Sequence, residues 1–391
     1  MPPRAATGKA FRERAGAATM PGRASQHPGG PVMDIGLFCL LNQRDKSQAA
    51  RRIIAETVEQ VRLADQLDLS IAWFAEHHFS NYCLCPSPLM MIGHCAAVTE
   101  RIRLGAGVLV LPLYAPARLL GEIGFADCLS AGRLVLGIGS GYQAYEFERF
   151  GGDLAESKAR TLEVLDMIER GLGAETFAHD GRYYRLPPTP FAVKPLQRPH
   201  PDIWVAGAAP ELIGRAARSD YPVIVTQRLS GIDVLLSTRE WCAKAWREAG
   251  VDPARMRFAV LSAAHVCDSR AEALDFADNI RFQARLATGL RNREEILENG
   301  MLREQPLADE PTPDEVAGNL IIGDAEDCAA RVAEMVRRVR PYHLALYFGI
   351  GRIAQSKVLR SMERFADEVL PAVEKEVGPL AQVGEPRPLS A

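Results

Sequence analysis

Three residues capable of proton or metal chemistry, Glu76, His77 and His78, follow one another in the run AEHHF at 75–79. Two histidines beside a carboxylate can ligate a metal or move protons near neutral pH. Zinc sites place ligands four apart on a helix or use C-x-x-C pairs. Neither spacing occurs around these residues, and no metal site is expected. The preceding stretch, SIAWFA at 70–75, is strand-like, and neighbouring side chains on an extended backbone point to opposite sides. One histidine can therefore face a site while the other packs away from it. Cys83 and Cys85 form a C-x-C pair with no second pair to match it, so they read as two thiols in a loop.

Three glycine-rich turns could approach a ligand closely. Gly105–Pro112 (GAGVLVLP) would let a flat ligand lie against the backbone, or would pack inside a tapering interior. Gly137–Tyr142 (GIGSGY) looks like a dinucleotide fingerprint, but the third glycine of G-x-G-x-x-G falls on Tyr142. It remains a turn with exposed amides suited to a phosphate, with Tyr142, Glu146 and Arg149 placed above it. Val205–Glu211 (VAGAAPE) runs from a strand through small residues into a helix start at Pro210, which leaves free N–H groups for an anion. It is equally a tight turn with proline at the first helical position. No Walker A lysine and no G-x-S-x-G elbow occur, which disfavours nucleotide hydrolysis and an α/β-hydrolase.

The elements that must position these turns alternate along the chain. Strands are expected at Asp34–Leu40, Ser70–Ala75, Arg103–Leu109, Arg133–Gly137, Asp202–Ala206, Tyr221–Thr226, Phe258–Val266 and Tyr342–Phe348. Helices follow them at Gln48–Gln66, Pro88–Thr99, Pro116–Leu129, Asp153–Gly171, Pro210–Arg218, Val234–Ala249, Ser269–Ala287 and Gln355–Leu370. Continuous apolar strands between amphipathic helices indicate parallel βαβ units. Eight such pairs close a single (β/α)8 TIM barrel, whose active site lies at the carboxyl ends of the strands. Two stretches exceed ordinary connections: Glu175–Pro201, after the fourth strand and helix, and Gly289–Leu320, before the eighth strand. Both are expected to be insertions over one barrel face.

The 391 residues carry 46 basic and 49 acidic side chains, a net charge of -3. That balance argues against a nucleic-acid partner. No apolar run is long enough for a transmembrane helix, so no membrane partner is expected. Residues 1–32 form a basic, apolar-poor segment expected to be a disordered tail; an organelle transit peptide is the other reading. The barrel is expected over 33–375 and a C-terminal tail over 376–391. The eight cysteines sit mostly singly in apolar runs, as reduced thiols of a cytoplasmic protein do.

The runs WFAEHHF (73–79), ADCLSAGR (126–133), RLVLGIGSGYQAYEFERFG (133–151) and RFADEVLP (364–371) together resemble the bacterial luciferase-like flavin monooxygenases, from about Met33 to Pro371. The resemblance implies non-covalently bound reduced FMN, delivered by a separate NAD(P)H:flavin reductase. It implies O2 as co-substrate, trapped as a flavin C4a-peroxide that oxidises a small organic substrate, and a homodimer. His77 matches the family's catalytic histidine, with Glu76 and His78 setting its tautomer or packing behind the strand. Gly107 and Val108 match a non-prolyl cis peptide beneath the flavin ring. Gly139, Ser140, Gly141 and Tyr142 match a loop flanking the phosphate or ring, and Gly207, Ala208 and Ala209 the phosphate turn. Where luciferases proper carry a cysteine and a basic residue, Gly139 and Ser140 stand here; Ala208 replaces the phosphate-turn serine. Light emission is therefore not expected. The same barrel also serves F420-dependent hydride-transfer oxidoreductases, the alternative cofactor reading, and non-catalytic flavin-binding partner subunits. Aromatic and aliphatic residues of the insertions (Phe177, Tyr183, Tyr184, Phe191, Ile296, Leu302) suggest an apolar substrate pocket, while Arg182, Arg185 and Lys194 could meet a carboxylate or sulfonate.

Overall fold

A computed structural model describes residues 33–383; the expectation for residues 1–32 lies outside the described residues. The chain opens with β1 (Asp34–Cys39), α1 (Ala50–Gln66), β2 (Ile71–Phe74), α2 (Pro88–Ala96), β3 (Arg103–Val110), α3 (Pro116–Leu129) and β4 (Leu134–Gly139). A short helix α4 (Ala144–Phe150) precedes the long α5 (Ser157–Gly171), which leads into a hairpin of β5 (Thr176–Asp180) and β6 (Arg185–Pro190). Then come β7 (Asp202–Ala206), α6 (Pro210–Ser219), β8 (Val223–Thr226), α7 (Ile232–Glu248), β9 (Phe258–Val266) and α8 (Arg270–Asn292). The two-residue strands β10 (Leu297–Glu298) and β11 (Met301–Leu302), α9 (Pro313–Asn319), β12 (Ile321–Gly323) and α10 (Ala325–Arg338) precede β13 (His343–Tyr347). The chain ends in α11 (Gln355–Arg364), α12 (Leu370–Val377) and α13 (Leu380–Val383).

Eight strands, β1, β2, β3, β4, β7, β8, β9 and β13, pair in parallel and close on themselves through β8 and β9. This is the (β/α)8 barrel that the alternation indicates. Helix α1 shows how the outer ring attaches. Its buried Ile53, Thr57, Val61 and Ala64 recur on one face while the other face is polar. The amino-terminal end of the barrel is filled by Trp73, Trp204 and His343. Trp73 Nε1 donates to His343 Nε2 at 3.0 Å, and the two indoles meet edge to face at 5.1 Å. Gly105 is bare because Trp73 occupies its side-chain space: a Cβ there would lie 2.4 Å from Cε3 of the indole. Interior packing therefore accounts for the first glycine of the 105–112 run.

Three features depart from the sequence expectation. Helix α10, capped by Asp324 accepting from the Asp327 N–H at 2.9 Å, fills the outer ring between the last two barrel strands. The longer α8 and the strand β12, which extends β9 beyond its barrel pairing, are additional. Next, Glu175–Pro201 does not cover the mouth. It leaves the carboxyl end of α5, the end at which barrel strands begin, and folds back along that helix. Phe177 packs on Gly171, and the Tyr183 and Tyr184 amides donate to Glu163. Only the second insertion roofs the mouth, through Leu302 and Glu304. Lastly, α12 runs across residue 375, and the Leu380 carbonyl accepts from the Met33 N–H at 3.2 Å; the rest of the expected tail, 384–391, lies outside the described residues.

Candidate active site

The residues after β2 leave the barrel straight into the mouth. His77 turns its ring edge toward Tyr82 and Tyr142, with centroids 4.7 and 5.8 Å away. Its Nδ1 lies 3.0 Å from Oε1 of Glu146, on the first turn of α4. The same oxygen accepts the His78 backbone N–H at 2.7 Å. An ionised carboxylate only accepts, so this contact puts the ring proton on Nδ1. Nε2 has no hydrogen-bond partner among the described residues.

Glu76 and His78 face elsewhere. Glu76 is 2% exposed, and all its contacts are structural. Oε1 meets His78 Nε2 at 3.0 Å; Oε2 accepts the Tyr114 hydroxyl at 2.6 Å and the Val110 N–H at 3.2 Å. His78 packs edge-on against Phe150 at 4.8 Å. Of the two roles open to them, this geometry is packing behind the strand: they tie the end of β2 to the end of β3. The residue that sets the His77 tautomer is Glu146, which the sequence placed above the mouth without a partner. Burial, and then the Glu76 carboxylate, push the Tyr114 hydroxyl well above the usual phenol range. Cys83 and Cys85 are buried thiols, and burial pushes Cys85 up to about 12, so it carries no thiolate at neutral pH. Among the described residues, no group of three or more His, Cys, Asp or Glu is arranged to hold a metal ion.

The ends of β3 and β4 carry the other glycines singled out in the sequence. The Gly107–Val108 peptide is cis, and the β3–β4 register shifts between Ala106 and Leu109. A Cβ on Gly139 would come within 2.9 Å of Val108 Cγ2. Gly141 takes φ +74° with Phe147 and Val110 closing on it, so a side chain there is excluded by conformation and by space. Ser140 turns its hydroxyl onto the Gly141 carbonyl at 3.4 Å. The Tyr142 hydroxyl is engaged by Tyr82 at 3.3 Å and Gln143 Nε2 at 3.2 Å, and Gln283 Nε2 from α8 meets Tyr82 at 2.9 Å. Tyr82, Gln143 and Gln283 carry no motif that would have flagged them; only the tertiary fold brings them together.

At the end of β7 the turn Gly207–Ala208–Ala209 lies open. Gly207 has φ +97°, and a Cβ on it would meet nothing within 4 Å. Its N–H donates to the Ile224 carbonyl at 3.1 Å, whereas those of Ala208 and Ala209 have no partner among the described residues. Helix α6 then begins without a capping side chain. Free amides at an uncapped helix start could accept an anion. This open turn could accept the phosphate of a cofactor; Gly107 and Val108 are partly exposed, whereas Gly139 is buried beneath Val108.

The second insertion is bolted over the loops that follow β1 and β2. Asn81 Oδ1 accepts the Leu302 N–H at 2.7 Å. Arg44 pairs with Asp278 at 2.7 Å and Glu304 at 3.1 Å, and Arg285 with Glu304 at 2.8 Å and Glu310 at 2.5 Å. The hydrogen bond from Arg285 holds the Glu310 carboxyl below the usual carboxylate range. The basic residues of the first insertion are occupied away from the mouth: Arg185 pairs with Asp180 at 2.9 Å, Arg182 lies over Tyr183, and Lys194 donates to the Ala174 carbonyl.

Comparison with known proteins places this geometry among relatives. The family model for luciferase-like monooxygenases matches residues 33–340. A protein designated y4vJ from Sinorhizobium fredii, described as uncharacterised, is 40% identical over 347 residues, covering 88% of this chain and 99% of its own length. The oxygenase component of flavin-dependent trigonelline monooxygenase from Acinetobacter baylyi is 28% identical over 355 residues, covering 87% and 95%. Among solved structures, monooxygenase RslO1 from Streptomyces bottropensis superposes with a TM-score of 0.73 at 24% identity, over 87% of this chain and 99% of that one. The oxygenating constituent of 3,6-diketocamphane monooxygenase from Pseudomonas putida, in complex with FMN, gives 0.68 at 20%, covering 87% and 98%. An F420-dependent secondary alcohol dehydrogenase gives 0.65 at 16%, covering 88% and 99%. At these identities the solved structures speak for the fold.

Proposed function

The chain belongs to the luciferase-like monooxygenase family, and from that premise we propose that it is the oxygenase component of a two-component system. It takes reduced FMN from a separate NAD(P)H:flavin reductase and inserts one atom of O2 into a small organic substrate in the cytoplasm. The observation that carries this reading is the His77–Glu146 pair, with Nε2 of His77 unpartnered among the described residues at the carboxyl end of β2. Reduced FMN, when bound, supplies the two electrons that activate O2. In this reading Gly207, Ala208 and Ala209 hold its phosphate through backbone amides. Gly107 and Val108 lie against its ring, and Gly139, Ser140, Gly141 and Tyr142 flank it. His77 moves a proton at Nε2, and Glu146 keeps the other ring nitrogen protonated so that Nε2 is the exchanging atom. Glu76 and His78 hold the strand ends rigid. The roof formed by the second insertion excludes water.

We further infer a homodimer built on α2 and α3. Met90, Phe125, Leu129, Val193 and Leu196 are exposed apolar side chains on or against these helices; a Cβ on Gly93 would touch Leu129, and Leu196 lies against Gly132. Exposed apolar side chains on neighbouring helices support an interface here. Light scattering should give twice the monomer mass, and Phe125→Asp with Leu129→Asp should give a monomer.

The functional reading is tested by oxygen uptake with photoreduced FMN. Bound flavin should reoxidise at a rate distinct from free flavin, and the oxygen atom should appear in product when the correct substrate is supplied. Reoxidation identical to free flavin, with tight binding of F420, would assign hydride transfer instead. No turnover with either cofactor, combined with a stable complex with a second subunit, would assign a non-catalytic partner role.

A further inference from the structure

The hydroxyls of Tyr82 and Tyr142 have no task in the chemistry above. Tyr82, from the loop after β2, and Tyr142, from the loop after β4, bring them to 3.3 Å. Gln143 Nε2 donates to the Tyr142 hydroxyl at 3.2 Å, and Gln283 Nε2, reaching in from α8, donates to that of Tyr82 at 2.9 Å. Both rings stand edge-on to His77, with centroids 4.7 and 5.8 Å from the imidazole. Arg291 covers the face of the Tyr142 ring, with Cζ 4.6 Å from its centroid. Three separate elements thus converge on one spot beside His77.

This cluster is short of partners. Two phenols carry two protons, and the contact between them uses one. The amides of Gln143 and Gln283 approach as donors, so the second proton has no acceptor among the described residues. Gln143 is fully buried, and its Oε1 has no hydrogen-bond partner among the described residues either. A buried polar group left unmet costs about 1–3 kcal/mol, and native interiors leave few of them. Burial pushes both phenols above their usual range, so both stay protonated at neutral pH. Tyr82 is buried and Tyr142 only partly so, which leaves the pair within reach of a molecule in the mouth.

We propose that the Tyr82–Tyr142 pair is a substrate subsite for a neutral oxygen that accepts a hydrogen bond, such as the carbonyl of a ketone or amide or a ring hydroxyl. The spare phenol proton is its donor, and Gln143 and Gln283 are positioning residues that hold the two hydroxyls together. An acid group is a poorer fit. The buried Glu146 carboxylate lies 3.0 Å from the imidazole that both rings flank, and repels a second negative charge there. A molecule held at the pair lies next to His77. That it is the substrate rests on the functional reading above; the subsite itself does not.

The test uses the full chain without flavin, with its tyrosines labelled with 13C at Cζ. Acetophenone and phenol are titrated beside α-methylstyrene, which has the ketone's shape and no oxygen, and benzoate as the anion. Acetophenone or phenol should bind about tenfold or more tighter than α-methylstyrene and benzoate. It should also shift the two Cζ signals that Tyr82→Phe and Tyr142→Phe remove. Each single variant retains one phenol and should keep part of the preference; the double variant should bring ketone and hydrocarbon to about equal affinity. Thermal midpoints are compared throughout. If the double variant unfolds, the Cζ shifts of the native chain decide, together with Gln283→Leu, which should lower the preference severalfold. Equal binding of ketone and hydrocarbon, shifts confined to other tyrosines, or a preference that survives the double variant overturns the subsite. So does the absence of binding by every probe, and tighter binding of benzoate overturns the neutral class. If the probes discriminate as expected but reduced FMN is handled as free flavin, the subsite stands and the monooxygenase reading falls.

Discussion

Two histidines at opposite ends of this barrel each lie against a carboxylate, and they differ in a single ring nitrogen. At the floor, His343 is fully enclosed. Its Nδ1 meets Asp34, its Nε2 accepts the Trp73 N–H at 3.0 Å, and the indoles of Trp73 and Trp204 meet the ring edge to face. The Trp73 donor fixes the proton on Nδ1, and no site remains for another molecule. At the mouth, His77 has the same kind of partner in Glu146 at 3.0 Å, but Nε2 is unclaimed and the ring is 13% exposed. A histidine–carboxylate pair is therefore no mark of chemistry by itself. What sets His77 apart is a free second nitrogen at the open end of the strands, and the proposed function rests on it.

Changing each pair should separate the two roles. The largest effect is expected from His77→Ala, which removes the exchanging nitrogen. Substrate turnover should fall by about 10²–10⁴-fold while the thermal midpoint holds, as read by product formation beside a melting curve. His343→Ala should do the reverse. It leaves Trp73 Nε1 and Asp34 without a partner and opens a void, costing about 3–5 kcal/mol in urea unfolding, with turnover per folded molecule unchanged. Glu146→Gln is smaller. Its amide can offer N–H to Nδ1 and move the ring proton to Nε2, so turnover should drop by roughly 10–100-fold with a displaced pH profile and near-native stability.

The smallest effect concerns a third histidine, of the floor type. His265 is buried on Phe276, with Nδ1 3.1 Å from the Phe348 carbonyl and Nε2 3.4 Å from Glu272, which also faces Lys357. Burial is the main cause and lowers its pKa. Below about pH 6.5 the unfolded chain binds a proton that the folded chain refuses. That contribution to stability is intact above this pH and is lost as pH falls toward the lowered folded value. His265→Gln should flatten the decline of the thermal midpoint between pH 7 and pH 5, and an unchanged slope would place the titration elsewhere.

Much of the architecture was readable because barrel strands are unbroken apolar runs and the ring helices keep a 3.6-residue period. Asp34–Cys39 and Ile53–Ala64 show both patterns. Helix α10 escaped notice although Asp324 and its apolar stripe signal a helix, because eight pairs were already complete without it. The place of Glu175–Pro201 was also readable in principle, because a segment that follows a ring helix returning to the start of the next barrel strand emerges at the floor; Gly289–Leu320 follows the additional α8, which lies at the mouth. The site was legible by residue type at His77 and by backbone need at Gly141 and Gly207. Glu146 as the partner of His77 was not, since 69 residues separate them and only the tertiary fold brings α4 against the loop that follows β2. Gly105 misled for the opposite reason, because the space it leaves is filled by Trp73.

The claim that His77 handles protons beside reduced flavin is tested most directly by rapid mixing. Native chain and His77→Ala, each loaded with photoreduced FMN, are mixed with oxygenated buffer, and flavin reoxidation is followed by absorbance. The account predicts a protein-specific rate for the native chain that His77→Ala shifts toward that of free flavin, with FMN affinity retained. Identical reoxidation of native chain, variant and free flavin would contradict it.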